Sequence, residues 1–473
     1  MLFNSIDFAL FLPIVFTIYW VSNRLNKLCV QNLIILIASY VFYGWWDWRF
    51  LSLIIISTII DYFVGLGIFN EKKASKRKLL LFTSVFFNIG FLCFFKYYNF
   101  FLDNFISAFS FFGCNINANS LNIILPVGIS FYTFQTLSYT IDIYRNKLTP
   151  TKNIIDFSAF VSFFPQLVAG PIERASNLLP QFYFRKHFSF EQAKYGILEI
   201  IWGLFKKIVI ADNLAYFVNI VYSDVESFAG FPLLWASIFF SFQIYCDFSG
   251  YSSIAIGIGK LFGFELMTNF KRPYLSSNFK EFWNRWHISL SSWFKDYVYI
   301  PLGGNRRKNL RNKLNIYITF IISGFWHGAN WTFILWGAVH GFLNSTGRTK
   351  WKINTPKFIP ICIVFFITML TWIIFRAENI YDLFYIYKNL FQFDFDSIVG
   401  VATVSKSNFI FLLILIILLF ILDVIIEYFN NRPVIKNNLI KNNYLLISII
   451  ISLIFCIYSF GIFEHQEFIY FQF

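Results

Sequence analysis

Charge is scarce in this 473-residue chain: Asp, Glu, Lys and Arg together make up 14% of it. Average soluble domains carry about a quarter charged residues, so a soluble globular class is excluded. Histidine is scarcer still, at five residues. The six cysteines (Cys29, Cys93, Cys114, Cys246, Cys362 and Cys456) are scattered and form no CxxC pair, so neither a disulfide framework nor a zinc site is expected. HExxH and GxSxG are missing as well, which leaves zinc-peptidase and serine-hydrolase chemistry without support. The first apolar run, Phe8 to Val21, lacks a basic leader and a small-residue cleavage site and reads as a retained helix. With no soluble insert, low-complexity tract or sequence repeat, residues 1–473 read as a single membrane domain.

What the chain has instead is apolar and aromatic. Hydrophobic residues make up 57%, and 66 Phe, 26 Tyr and 14 Trp bring the aromatic share to 22%. Apolar runs of roughly 16–25 residues recur from end to end, long enough to cross hydrocarbon as helices. A β-barrel would show strands of about 10 alternating residues. The fold class is therefore an all-α polytopic membrane protein. Spans are expected near 7–22, 31–46, 50–69, 79–95, 154–170, 195–221, 233–262, 358–376, 408–428 and 443–463, with less regular stretches at 97–112, 124–141, 279–300 and 314–346. About 11 true spans plus re-entrant pieces are expected.

Net charge is +14. The basic residues fall in short loops between apolar runs, so they read as a topology signal and lipid contact rather than a nucleic-acid surface. Arg24 and Lys27 follow the first span, and Lys72, Lys73, Lys76, Arg77 and Lys78 the third. Both loops are assigned to the cytoplasm, which places the N-terminus outside. Arg306, Arg307, Lys308, Arg311 and Lys313 form a further inside cluster, and Arg348, Lys350 and Lys352 another. The loop 377–407, with Asp382, Asp394 and Asp396, is assigned outside, Arg432, Lys436 and Lys441 inside, and the tail 464–473 periplasmic. The topology of 145–310 is open. Trp45, Trp46 and Trp48 around Asp47 read as an outer aromatic belt.

Two inside clusters bracket 314–346, so that stretch must enter the membrane and return. Arms of about 13 and 16 residues rise only about 20–24 Å, less than the roughly 30 Å hydrocarbon core. The bend falls in Gly324–Phe325–Trp326–His327–Gly328–Ala329–Asn330. Irregular backbone at that depth is tolerated only against protein or a watery cavity, which makes His327 a candidate reaction centre with Asn330 beside it. A second histidine, His287, lies in a stretch that reads as one helix. There Lys280, Asn284, His287, Ser291 and Lys295 fall on one polar stripe. Asn284 and Ser291 are thereby candidate partners of His287. His340 could be a third ligand but reads better as packing, and His187 and His465 as loop or interface residues. Asp247, inside an apolar run, needs a partner and reads as an anchor of the fold. Gly250, Gly257, Gly259 and Gly263 permit close helix approach. GIGKLFG lacks the Ser/Thr ending and preceding strand of a phosphate loop.

These stretches resemble the membrane-bound O-acyltransferase family, in particular its bacterial branch of alginate and peptidoglycan acetyltransferases. The similar segments are MLFNSIDFALFLP (1–13), LPVGISFYTFQTLSYTIDIYR (125–145), FPQLVAGPIER (164–174), QIYCDFSGYSSIAIGIGKLFGF (243–264), RPYLSSNFKEFWNRWHISLSSWFKDYVYIPLGGNR (272–306), SGFWHGANWTFILWGAVHG (323–341) and FIYFQF (468–473). The resemblance implies a fold of membrane and re-entrant helices around a funnel and tunnel. It implies catalytic roles for His327 and His287, with His327 the central one as general base or transient acetyl acceptor. It further implies acetyl-CoA as donor, no bound cofactor or metal, and delivery of acetyl across the bacterial inner membrane. The expected acceptor is peptidoglycan, reached through a periplasmic PatB-type O-acetyltransferase, with alginate or another exopolysaccharide as the alternative. Arg306, Arg307 and Lys308 are expected at the acetyl-CoA entry. Tyr470, the only hydroxyl of FIYFQF, is expected outside as an acyl carrier. A transporter or flippase without covalent chemistry is the reading from another class, because a broken helix at depth suits that as well.

Overall fold

The structure is a computed structural model that describes residues 1–113, 119–168, 170–306, 308–346, 356, 358–405, 408–430, 432, 443–463 and 468–471. Helices α1–α9 span Ile6–Ser22, Leu28–Asp47, Leu51–Asn70, Ala74–Leu92, Tyr98–Phe111, Ile129–Tyr144, Ile154–Ser162, Phe164–Leu167 and Ala175–Leu178. Helices α10–α16 span Phe190–Leu204, Asp212–Ser223, Phe231–Leu261, Phe279–Arg285, Ile288–Phe294, Asn309–His327 and Trp331–Thr346. Helices α17–α21 span Phe358–Arg376, Ile380–Asn389, Phe395–Ser405, Phe409–Asn430 and Asn443–Phe460. No strand occurs among the described residues.

Seven helical segments among the described residues are long and apolar enough to cross a membrane. One of them, Leu28–Asn70, is 43 residues long and contains both α2 and α3. It breaks at Asp47, which is extended (φ −160°) and whose carboxylate accepts the Arg49 amide at 3.0 Å. Trp45, Trp46 and Trp48 are all exposed at this junction, where amphipathic rings suit the headgroup level.

The sequence-predicted span 154–170 is divided. α7 ends at Ser162, Phe163 leaves helical geometry, and α8 restarts with Pro165 in its first turn. Proline pre-sets the dihedral of a helix start and its missing N–H costs nothing there. The stretch 195–221 belongs to α10 and α11, joined by a π-helical turn over Phe205–Ala211 that buries Lys206 and Lys207. Two lysines and Asp212 in its middle keep it below the apolarity of the seven.

The contacts group the residues into two compact units, Met1–Ile197 with Ala255–Met267, and Leu198–Ile254 with Thr268–Phe473. The first unit is pinned by a buried polar network among α3, α4 and α6. Asp61 accepts from Ser84 Oγ at 2.6 Å and Asn88 Nδ2 at 2.8 Å. Asn88 Oδ1 in turn accepts from Ser57 and Thr136 hydroxyls, each at 3.0 Å. Replacing Asn88 by Leu leaves the Asp61 carboxylate short of a donor and takes the Ser57 hydroxyl's acceptor, while Thr136 falls back on Thr133 O at 3.2 Å. At about 1–3 kcal/mol per buried unsatisfied group, Asn88→Leu should lower the thermal midpoint of detergent-solubilised protein by several degrees, whereas Asn70→Leu, at an exposed position, should change it little.

In the second unit, α13 is started by Asn278, whose side chain accepts the Glu281 amide at 2.9 Å, while Glu281 reaches back to the Ser277 amide at 2.9 Å. This reciprocal pairing satisfies orphan donors at a helix start. The helix does not continue through His287 as the sequence spacing predicts. The segment Asn269–Lys271 lies alongside and takes up the backbone groups a helix would use: Lys271 N–H donates to Arg285 O at 2.9 Å and Ile288 N–H to Asn269 O at 2.9 Å. His287 is left at φ +42°, in the left-handed region that favours glycine. The anchor for this segment is electrostatic. Glu427 binds Arg272 Nε at 2.6 Å and Arg285 at 3.1 Å. Burial works against the Arg285 charge, but its bonds and attraction to Glu427 and Glu281 prevail and raise its pKa.

α15 and α16 form the predicted helical hairpin, with one correction. α15 has 19 residues rather than about 13, a rise of about 28 Å at 1.5 Å per residue, because it winds back through the basic residues Arg311 and Lys313. The pair packs closely at two glycines. A Cβ on Gly324 would lie 2.2 Å from Phe333 O, and one on Gly337 would lie 2.4 Å from Phe320 O.

Candidate active site

His327 is the last residue of α15, and Gly328 after it is extended (φ −162°). The imidazole is therefore presented at the end of a helix and is buried. Aromatic rings surround it: Trp326 at 5.0 Å, Trp336 at 5.2 Å edge-on, Phe375 at 5.4 Å and Tyr470 at 5.7 Å between ring centroids. Trp336 and Phe375 are held by Trp372, 5.8 and 5.4 Å away, which packs in turn at a tilt against Trp286 at 4.8 Å. Such rigid rings fix the imidazole's position with little rotamer freedom.

His287 occupies the break between α13 and α14 and is fully buried. Its Nδ1 lies 3.0 Å from Asn269 Oδ1. The same oxygen also receives the Ser289 backbone N–H at 3.3 Å and the Ser289 hydroxyl at 2.9 Å. A backbone amide can only donate, so Oδ1 is the acceptor and His287 Nδ1 must carry the hydrogen. Nε2 then presents its lone pair, and no hydrogen-bond partner among the described residues meets it. A buried polar atom without a partner is rare enough to point to a ligand or a reacting group.

The two histidines face a common element, the C-terminal tail. Tyr470 lies 6.4 Å from the His287 ring, 5.7 Å from the His327 ring and 4.5 Å from Phe248. Phe468 packs on Tyr251 at 4.6 Å. Between them, the Ile469 amide donates to Asp247 Oδ2 at 2.7 Å. Asp247 is thus an anchor with a specific load, the tail. Lys207 Nζ stands 2.8 Å from Asp247 Oδ1 and 2.7 Å from Asp212 Oδ1, all three side chains buried. The sequence reading expects Tyr470 to serve the His327 centre from an outside tail. Residues 468–471 pack into the second unit beside the two histidines, where the rings of Phe468 and Tyr470 and a buried hydrogen bond hold them. His465 and Arg307 lie outside the described residues.

The other sequence candidates fall elsewhere. With the helix interrupted at His287, the polar stripe does not form: Lys280, Asn284 and Lys295 are exposed, and Ser291 donates to Trp286 O at 3.3 Å. Asn284 and Ser291 are therefore not the partners of His287. Asn330 caps α16, accepting the Thr332 amide at 3.1 Å and donating to Glu378 O at 2.6 Å. Arg306 and Lys308 are exposed at the start of α15, available to a polyanion but distant in sequence from either histidine. His340 has both nitrogens engaged, Nδ1 accepting from Trp283 Nε1 at 3.3 Å and Nε2 against Thr371 Oγ1 at 3.0 Å, a packing role. Asn269, Ser289 and Lys207 were missed. Lys207 carried a signal, an ionisable residue inside an apolar run. Asn269, 18 positions before His287 in a loop, carried none.

Comparison with known proteins adds to this geometry. Residues 144–374, which contain both histidines, match the model of the membrane-bound O-acyltransferase family. A probable alginate O-acetylase of Pseudomonas putida is 40% identical over 400 residues, covering 83% of this chain and 81% of that one. A peptidoglycan O-acetyltransferase of Helicobacter pylori is 37% identical over 414 residues, 80% and 78% of the two chains. A teichoic acid D-alanyltransferase of Streptococcus thermophilus is 29% identical over 231 residues, 46% of this chain and 55% of that one.

Proposed function

Because this chain belongs to the membrane-bound O-acyltransferase family, we propose that it takes acetyl from cytoplasmic acetyl-CoA and passes it across the inner membrane for O-acetylation of peptidoglycan muramic acid. The chain is a multi-pass membrane acyltransferase, which sets aside the transporter reading. In this proposal both termini are periplasmic and a periplasmic PatB-type transferase places the acetyl on the polymer. The observation that carries the reading is the placement of Tyr470 against two buried imidazoles, one with its Nε2 lone pair unclaimed.

Chemically, the thioester C–S bond breaks and a C–O bond forms to the acceptor hydroxyl. The hydroxyl proton passes through an imidazole to sulfur, releasing CoA as a thiol. His327 serves either as the base that takes this proton or as a nucleophile that holds acetyl on nitrogen before passing it on. Tyr470 is the acceptor closest to hand: its phenol oxygen becomes acetylated and carries the group to the partner. Exposed Arg306 and Lys308, with Arg307 between them in sequence, draw the phosphates of CoA toward the cytoplasmic side.

The test is analysis of wall and exopolysaccharide O-acetyl in a deletion strain complemented with wild type, His327→Ala or Tyr470→Phe. Restoration of wall acetyl by wild type alone supports the whole proposal. Restoration of exopolysaccharide acetyl instead would select the alternative acceptor, for which the 40% identity to alginate O-acetylases is the specific support. Full acetylation with Tyr470→Phe would overturn the carrier.

A further inference from the structure

The tail has a polar anchor at Ile469. Ile469 N–H donates to Asp247 Oδ2 at 2.7 Å, and the residues on either side, Phe468 and Tyr470, lie on Phe248 at 5.7 and 4.5 Å. Asp247 sits within α12, an apolar helix, where a lone carboxylate would be expensive. Lys207 removes that cost at 2.8 Å from Asp247 Oδ1 and shares itself with Asp212 at 2.7 Å. The π-turn over Phe205–Ala211 brings Lys207 to this place, and such turns often mark functional positions. The end of α10 and α12 reach one another through Gly203 and Gly250: a Cβ on Gly250 would stand 2.8 Å from Gly203 O and 3.2 Å from Lys207 N. The cluster carries two carboxylates and one ammonium, so it keeps an acceptor in excess. That acceptor meets the one backbone amide that precedes Tyr470.

We propose that Asp247, charge-compensated by Lys207, is a positioning residue for Tyr470: by accepting the Ile469 amide it sets the phenol between His287 and His327. This rests on the reading of His327 as the acyl-transfer centre. A tail fixed only by Phe468 and Tyr470 stacking could slide along the Phe248 face. The hydrogen bond fixes its register, and misplacement of a reacting group by about 1 Å can cost about 100-fold in rate.

The donor can be removed without touching the charge cluster. Ile469→Pro eliminates the amide hydrogen, whereas Ile469→Ala shortens the same side chain and keeps it. Purified full-length protein in lipid nanodiscs is assayed for transfer from labelled acetyl-CoA, with acetyl on the tail peptide read by mass spectrometry. The expected result is a fall in kcat of about tenfold or more for Ile469→Pro relative to Ile469→Ala. KM for acetyl-CoA should stay within about twofold and the thermal midpoint should match the alanine variant. Asp247→Ala should show the same kcat loss, and Asp247→Asn, which retains a side-chain oxygen, should recover most of it. Equal kcat for Ile469→Pro and Ile469→Ala, with His327→Ala inactive, overturns the positioning role and leaves the centre standing. Full thioester turnover in His327→Ala overturns the centre itself.

Discussion

His327→Ala loses acetyl transfer by about 100- to 10,000-fold, the range over which a positioned acid or base contributes. The loss falls on kcat, with KM for acetyl-CoA little changed, because the imidazole acts on bonds that change in the transition state. Three rings at 5.0–5.4 Å hold the site open around the missing side chain, so the variant should fold. Single-turnover measurement of CoA release in nanodiscs checks this. A rate within about threefold of wild type would remove His327 from the chemistry. Trapped acetyl further divides its two roles: label that survives on the protein in Tyr470→Phe places it on histidine, and label absent there but present in wild type places it on the phenol.

Lys207→Ala produces the largest stability loss. Lys207 is the cation between Asp212 and Asp247, at 2.7 and 2.8 Å, and all three are buried. Its removal leaves two carboxylates facing each other out of water, a loss of about 3–5 kcal/mol by comparison with other broken buried pairs. Poor recovery from membranes and an early thermal midpoint are the expected observations. Adding Asp212→Asn and Asp247→Asn removes the uncompensated charge, and the triple variant should regain much of that stability. It should not regain full transfer rate, since the tail's anchor is then altered. Equal stability of wild type and Lys207→Ala would show that the cluster does not hold the unit together.

Much of this molecule was legible in the chain. Low charge and recurring apolar runs set the helical membrane class. The expectation that basic clusters on either end of 314–346 share one side called for a hairpin, and a helical hairpin is there, tipped at His327. Where legibility failed, the reason was local. The spacing of Lys280, Asn284, His287, Ser291 and Lys295 suits a continuous helix, but backbone hydrogen bonds from Asn269 and Lys271 interrupt it, and periodicity contains no record of a loop that competes for those bonds. The span expected at 154–170 failed at Phe163 for a related reason, a restart around Pro165.

The sequence alone therefore determined the helical membrane class and which imidazole stands at a turn, because hydropathy and charge are properties of short segments. Only the tertiary structure decided what those imidazoles meet. Asn269 fixes the proton on His287 from 18 positions away, and Ile469 reaches Asp247 across 222. Such contacts are set by how helices pack, and no periodicity along the chain encodes them.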